Sequence, residues 1–400
     1  MPVTRIVVVS ALLSMLLFGG ATRVAADQAP LTVVGGVPDW RAPGGRFTVT
    51  GSTAPAGTAV RVTAGARVLG RARSAANGRF EIEARAPART GSYRVKVATA
   101  TSASGVGLVR VRPVRIAAAG DFTPGDRIAE LAATHGPGYV WRSVGPLLKA
   151  ADIATLNLEG AVSTRGSPVP DKEYHFRGSR SVLAGAVAAA GLDVVTVANN
   201  HSLDFGSAAF LDTVAALRSL HVHSIGGGAN LGAARRPAVV HVGGISIAFI
   251  GYSDVNPSGF SATSRSPGTA PADPATIRAD VARAARANDV VVCWFHWGVE
   301  LAPTPTGRQD ELASACLNAG AHVVIGAHPH VLQPIVRPAR RSLVAFSLGN
   351  FVFPAASPNT EKTGVLEIDV AADGVRGFRL DRATIVDGQP RLSAPARPRR

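Results

Sequence analysis

Ala321-His322-Val323-Val324-Ile325-Gly326-Ala327-His328-Pro329-His330 is an apolar run that ends in two imidazoles. It reads as a strand delivering its last residues to a site, and that reading sets the class of fold. In extended backbone residues two apart share a face, and Pro329 biases the residue before it towards extended conformation. His328 and His330 are therefore expected to point one way. Two residues of strand rise separate their Cα atoms by about 6–7 Å, a span that suits ligands to one metal ion or to two ions roughly 3.5–4 Å apart. Loop histidines beside proline are also ordinary structural residues, so the pair alone leaves both readings open.

Five other apolar runs end in the same manner. Ile116-Ala117-Ala118-Ala119-Gly120 leads into Asp121, and Ile153-Ala154-Thr155-Leu156 into Asn157-Leu158-Glu159. Val194-Val195-Thr196-Val197-Ala198 gives Asn199-Asn200-His201, Val290-Val291-Val292-Cys293-Trp294-Phe295 gives His296, and Leu343-Val344-Ala345-Phe346 gives Ser347-Leu348-Gly349-Asn350. Helix-like stretches rich in Ala, Leu and Arg separate them, an α/β pattern. Open α/β sheets bind ligands outside the carboxyl ends of their strands. Gathered there, Asp121, Glu159, Asn200, His201, His296, His328 and His330 form a mixed oxygen and imidazole set. Such a set suits Mn, Zn or Fe rather than a thiolate site or a calcium cage. Two carboxylates carry charge enough for two divalent ions, which together activate water and clamp attacking and leaving oxygens, so hydrolysis is the natural chemistry. Each residue has a structural alternative: Asp121 as a turn or helix cap, Glu159 as a solvated carboxylate, Asn199-Asn200 as a plain turn, His296 as a buried structural imidazole. His135, His221, His223, His241 and His322 lie outside the pattern and read as structural or surface residues. No Walker or dinucleotide fingerprint precedes a helix, so no nucleotide cofactor is indicated.

The 400 residues suggest two or three domains, and their net charge of +15 is unevenly placed. Residues 27–112 hold 13 basic and 4 acidic side chains, residues 113–400 hold 27 and 23, and all ten histidines lie at or beyond His135. Imidazole chemistry thus belongs to the second part of the chain. In the first part, Arg46-Phe47-Thr48-Val49-Thr50, Ala59-Val60-Arg61-Val62-Thr63, Arg79-Phe80-Glu81-Ile82-Glu83 and Ser92-Tyr93-Arg94-Val95-Lys96-Val97 alternate apolar and polar residues between turn signals. They predict a small all-β, immunoglobulin-like sandwich over 27–113 with a spacer or adhesive role and no catalysis. A surface this basic attracts polyanions, although arginine used simply as a solubilising residue accounts for it equally. Arg5, the apolar run from Ile6 to Phe18 and the small residues ending at Ala26 read as a secretory signal peptide, 1–26. That run is short for a membrane span of about 20 residues. The mature protein is expected to be secreted or associated with the cell envelope, with no stable span. Cys293 and Cys316 suit either a bridge or two small buried hydrophobes.

Asn157-Leu158-Glu159, Ala198-Asn199-Asn200-His201-Ser202-Leu203-Asp204-Phe205-Gly206, His296-Trp297-Gly298-Val299-Glu300, Gly326-Ala327-His328-Pro329-His330-Val331-Leu332-Gln333-Pro334 and Ser347-Leu348-Gly349-Asn350-Phe351-Val352-Phe353 follow one another in order. Together they resemble the capsule-synthesis CapA family, which is associated with poly-γ-glutamate and grouped with the calcineurin-like metallophosphoesterases. The resemblance runs from Val114 to Ile368. It implies a metallophosphoesterase-like sandwich of two sheets flanked by helices over 114–385, with two divalent metal ions at strand ends. Asp121 would hold the first ion with His330, Glu159 would bridge, and Asn200, His296 and His328 would hold the second. His201 would be the catalytic residue that protonates the leaving group or steadies the transition state. Two departures bear on the first ion. The superfamily's Asp-x-His is here Asp121-Phe122-Thr123, and its bridging aspartate is here Glu159.

Around this set, Lys172 and Arg177 are expected to meet an anionic substrate, with a solvated loop as the alternative. Glu300 and Gln309 flank a proline-rich loop that could border the pocket, and Asn350 serves equally as a turn or as an amide supporting a ligand. Gly364–Val370 and Gly377–Leu380 read as a hairpin that completes a sheet, and 386–400 as a disordered basic tail. The expected function is that of an exported hydrolase acting on an anionic envelope or capsule polymer, alone or with other capsule-synthesis proteins, and not on nucleic acid. A non-catalytic accessory that binds a polyanion is the alternative.

Overall fold

The computed structural model describes residues 30–393, and the expected signal segment 1–26 and the end of the expected tail, 394–400, lie outside the described residues. The chain divides into two compact units, Met1–Arg112 and Pro113–Arg400.

Among the described residues the first unit is entirely β. Thr32–Val34, Arg46–Ser52 and Arg79–Arg85 form an antiparallel three-stranded sheet. Trp40–Arg41, Ala103–Val111, Gly91–Ala98, Ala59–Ala64 and Arg67–Arg73 form a five-stranded one, in that order. The period-two pattern dictates which side chains meet. Phe47, Val49, Val60, Val62, Phe80, Ile82, Val95, Val97 and Val109 share one buried core, while the residues between them face outwards.

The second unit carries two larger sheets. In the first, the parallel strands His223–Ile225, Leu192–Thr196, Ile153–Leu158 and Val114–Phe122 lie side by side. The antiparallel strands Lys362–Ala371, Gly374–Val386 and Gln389–Leu392 extend that sheet, and Asn350–Val352 pairs with the end of Val114–Phe122. The second sheet runs Ala238–Val242, Ile245–Ser253, Val290–His296, Val323–Ala327, Leu343–Ala345, Ile335–Val336, with its four middle strands parallel. Every residue of Ile245–Ser253 and Val290–His296 is buried, as expected for parallel strands covered on both faces.

Helices Asp126–His135, Arg180–Ala190 and Gly206–Ser219 pack on the first sheet through Ile128, Leu131, Leu183, Ala186, Phe210 and Leu217. Helices Pro274–Ala287 and Gly307–Asn318 pack on the second through Ile277, Val281, Leu312 and Cys316. Cys293 and Cys316 are both buried free thiols in this core, and burial pushes the Cys316 thiol well up. They serve as small hydrophobes rather than as a bridge.

Two details bear on the site. Gly120 lets the segment Ser347–Asn350 lie directly against the strand end: a Cβ there would stand 1.8 Å from the Gly349 carbonyl oxygen, which accepts from Asp121 N at 3.0 Å. The tail departs from expectation. The chain stays ordered past 386 because Asp387-Gly388, both at positive φ (51° and 74°), turn it back so that Gln389–Leu392 pairs with Ala383–Val386. An Asp-Gly pair at positive φ is the favoured two-residue hairpin turn, a signal present in the sequence and outweighed by the basic composition after it.

Candidate metal centre

All six strand-end segments arrive at one place. Asp121 stands in register with Asn157 on one side and Asn350 on the other. Asn157 and Glu159, two apart on one strand end, share a face. Asn157 Nδ2 donates to Asp121 Oδ1 at 2.8 Å, and Asn199 Nδ2 donates to Asn157 Oδ1 at 2.9 Å and to the Leu158 carbonyl at 2.7 Å. Asn199 Oδ1 accepts from His201 N at 3.0 Å and from Ser202 Oγ at 2.9 Å. This buried amide chain fixes where Asp121 and His201 sit. Asn157 was not singled out from the sequence, although its spacing from Glu159 placed it on the same face.

Glu159 occupies the middle. Its Oε1 lies 3.7 Å from His296 Nε2, 3.8 Å from His201 Nε2 and 3.9 Å from His330 Nε2. That oxygen is fully buried and has no hydrogen-bond partner, and the same holds for His328 Nδ1. His296 Nε2 faces Asn200 Oδ1 at 2.8 Å, and His330 Nδ1 donates to Asn350 Oδ1 at 2.7 Å and lies 3.5 Å from Asp121 Oδ2, which leaves His330 Nε2 directed at Glu159. Asn350 thus acts as the amide that orients His330.

The electrostatics are those of a cation site. Burial, and then its neighbour Asp121, push Glu159 well above the ordinary carboxylate range, and burial pushes Asp121 up as well. Burial holds His296 well below its usual value and His328 down at about 3. Two close carboxylates deep in the protein repel one another, and an unpartnered buried polar atom costs about 1–3 kcal/mol, more if charged. Neutral imidazoles bring no charge to offset that repulsion, whereas a divalent cation would. Asp121, Glu159 and His330 bring three ligand atoms within 4.8 Å of one another, and so do Glu300, His328 and His330. The residues present therefore fit a metal centre.

Expectation and structure differ at several points. His328 and His330 converge, their ring centres 6.0 Å apart, but not by strand alternation. The strand ends at Ala327, and both histidines have positive φ, 97° and 58°. Such backbone costs on the order of 1–3 kcal/mol per residue and persists only where the surroundings impose it. Here His328 N donates to Asp121 Oδ2 at 3.3 Å, and Asn350 grips the His330 ring.

Lys172 is not free for substrate. Its ammonium donates to the Asn200 carbonyl at 2.6 Å, touches His201 Nδ1 at 2.8 Å and forms an ion pair with buried Asp204. Asp204 also meets His201 Nδ1 at 2.8 Å and accepts from Phe176 N at 2.7 Å. Lys172 and Asp204 together hold the far side of the His201 ring, so Nε2 faces the cluster. Arg177 is likewise occupied elsewhere, donating to the Arg165 and Gly166 carbonyls at 2.8 and 2.9 Å and lying over the Phe205 ring. One residue along, Phe176 packs its ring against His201, the ring centres 4.2 Å apart. Thr123, two residues after Asp121, is fully buried, and its hydroxyl accepts from Gly125 N at 3.4 Å.

The family model for the bacterial capsule synthesis protein PGA_cap matches residues 115–355. The PGA biosynthesis protein CapA of Bacillus subtilis is 30% identical over 273 residues, 68% of this chain and 71% of that protein. The capsule biosynthesis protein CapA of Bacillus anthracis is 30% identical over 279 residues, 68% of this chain and 67% of that protein. Among solved structures, a 5'-nucleotidase precursor from Thermus thermophilus is 16% identical with a TM-score of 0.39, covering 70% of this chain and 56% of that one. The first unit, up to Arg112, lies outside the stretch that the family model matches.

Proposed function

The chain belongs to the bacterial capsule synthesis protein (PGA_cap) family, and from that premise we propose that it is an exported metal-dependent hydrolase. Its substrate on this reading is an anionic envelope or capsule polymer such as poly-γ-glutamate. The observation that carries the reading is the buried, unpartnered Glu159 Oε1 with three imidazole nitrogens turned towards it. Asp121, Glu159, Asn200, His296, His328 and His330 would hold two divalent ions (Mn, Zn or Fe). When bound, these supply Lewis-acid activation of water and of the bond to be cleaved.

The rest of the chemistry falls to the chain. His201 presents Nε2 to the cluster while Lys172 and Asp204 fix the ring from behind, the geometry of a proton donor aimed at a leaving group. Burial lowers the His201 pKa, so the ring gives up its proton readily, and adjacent Asp204 opposes that shift and keeps it protonatable. Phe176 and Phe353 wall this corner with apolar rings, which limits water around the proton path. Purified protein reloaded with Mn²⁺ or Zn²⁺ should shorten poly-γ-glutamate or cleave a generic phosphodiester, and a chelator should abolish the reaction. Fully loaded protein that leaves both intact would remove the hydrolase reading.

A second reading, a polyanion-binding accessory, is favoured by one feature of the first unit. Arg61, Arg71, Arg94, Lys96 and Arg110 are exposed on the outer face of the five-stranded sheet. Among the described residues none of them is in an ion pair, whereas Glu81 and Glu83 lie on the other sheet, where Glu83 meets Arg46 at 3.4 Å. Arg61 and Arg71 are direct cross-strand partners, an arrangement in which like charges repel and which an anionic chain laid across the face would relieve. Reversing both (Arg61→Glu with Arg71→Glu) should weaken poly-γ-glutamate binding at least about tenfold at low salt and flatten its salt dependence. Unchanged binding would rule this face out.

A further inference from the structure

We propose that Glu300 is a ligand of the metal centre, brought in from the loop that follows the Val290–His296 strand. The inference rests on the reading of the site as a metal centre and adds to it a residue outside the strand-end set. Glu300 places a carboxylate oxygen within 4.8 Å of ligand nitrogens of both His328 and His330. His328 is nine-tenths buried and its Nδ1 has no partner, while the Nδ1 of His330 is taken by Asn350, which frees Nε2. Glu300 itself is exposed and, among the described residues, makes no hydrogen bond or ion pair.

The loop holding Glu300 is built, not loose. Gly298 has φ 87°, and a Cβ there would stand 2.7 Å from Gln309 Oε1, so the chain turns sharply against the next helix. Leu301, beside Glu300, also has positive φ, and its N–H donates to the Pro329 carbonyl at 2.8 Å, directly between the two histidines. Gln333 Nε2 donates to the carbonyls of Ala302 and Thr304 at 2.9 and 3.2 Å, and Gln309 Nε2 donates to Gln333 Oε1 at 2.8 Å. Gln309 in turn closes a capping box with Thr306 at the start of the Gly307–Asn318 helix. This network ties the Glu300 loop and the histidine segment into one unit, so the three ligand atoms keep their spacing. The charge also balances: a third carboxylate beside Asp121 and Glu159 leaves two divalent ions with a small positive excess, enough to hold an anionic substrate without trapping it.

Metal stoichiometry of the full-length mature protein tests the proposal without reference to activity. Wild type, Glu300→Gln, Glu159→Gln and, as a control for surface charge, Glu311→Gln are stripped with chelator, reloaded with Zn²⁺ and desalted for elemental analysis, with affinities read by chelator competition. Two ions are expected in wild type and Glu311→Gln, whereas Glu300→Gln should keep one at wild-type affinity and hold the other at least about tenfold more weakly. If Glu300→Gln holds both ions as wild type does while Glu159→Gln loses them, Glu300 is no ligand and the metal reading stands. If wild type takes up no ion, both fall. Circular dichroism of stripped wild type and Glu300→Gln should be superimposable, since Glu300 is exposed.

Discussion

Glu159→Gln is expected to empty the centre and to make the metal-free protein more stable. The carboxylate stands between three imidazole nitrogens at 3.7 to 3.9 Å, those of His201, His296 and His330, and so sits at the middle of the candidate site. Loss of a single preorganised electrostatic group costs a rate roughly 10²–10³-fold, and loss of the ions themselves should cost on the order of 10³-fold or more. Elemental analysis and a chelator-sensitive assay would report both. Without metal the balance reverses, because the same carboxylate is buried beside Asp121 with one oxygen unpartnered. A neutral amide removes the like-charge repulsion, and the stripped variant should unfold at higher denaturant by about 1–3 kcal/mol.

The pH dependence of the stripped protein follows from the same shifts. Asp121 and Glu159 have folded pKa values above their unfolded ones, so the native state binds their protons more tightly. The stability they contribute is complete below the ordinary carboxylate range and is lost as pH rises through the folded values. His328, lowered to about 3 from an ordinary 6.5, acts in the opposite sense. Its contribution is present above 6.5 and is lost as pH falls towards 3. Glu159→Gln should therefore flatten the decline towards high pH and leave the decline towards low pH in place. An unaltered alkaline limb would show that Glu159 carries no such strain.

His201→Gln is expected to separate chemistry from metal binding. His201 Nε2 faces the cluster, but its Nδ1 side is held by Asp204 and Lys172, and its backbone N–H is held by Asn199. Glutamine cannot deliver a proton, so turnover should fall by roughly 10²–10⁴-fold, the usual weight of a positioned general acid. Metal stoichiometry should remain that of wild type. Asp204→Asn should give a smaller loss confined to kcat, since the ring stays in place and only its charge support goes. A His201→Gln protein that loses an ion would move His201 from proton donor to ligand.

Much of this site was legible before any tertiary structure. Six apolar runs each led into Asp, Asn, Glu or His, and parallel strands deliver such ends to the carboxyl edge of their sheet, so Asp121, Glu159, Asn200, His201, His296, His328 and His330 stood out from order alone. That the first four come from one sheet and the last three from another, with the two edges meeting, is decided by the fold. The hairpin of Gly364–Val370 with Gly377–Leu380, which the structure extends to Lys362–Ala371 with Gly374–Val386, and the all-β texture of the first unit were equally plain, because period-two alternation is a local property. Supporting residues were harder to read. Lys172 and Arg177 looked alike, two cations in one polar loop. Only folding shows that Lys172 lies behind His201 and that Arg177 lies on Phe205.

By itself the sequence determined the kinds of candidate donor atoms and the strands that bring them, because these depend on residue type and short-range periodicity. Tertiary structure alone decided how the last strand ends. A run that reads as extended through His330 stops at Ala327, and both histidines swing into positive φ. The cause lies far along the chain: Asp121 takes the His328 N–H, Asn350 takes the His330 ring, and the Leu301 N–H takes the carbonyl of Pro329 between them. Local preference at those two residues is worth a few kcal/mol at most, and contacts from three distant segments outweigh it.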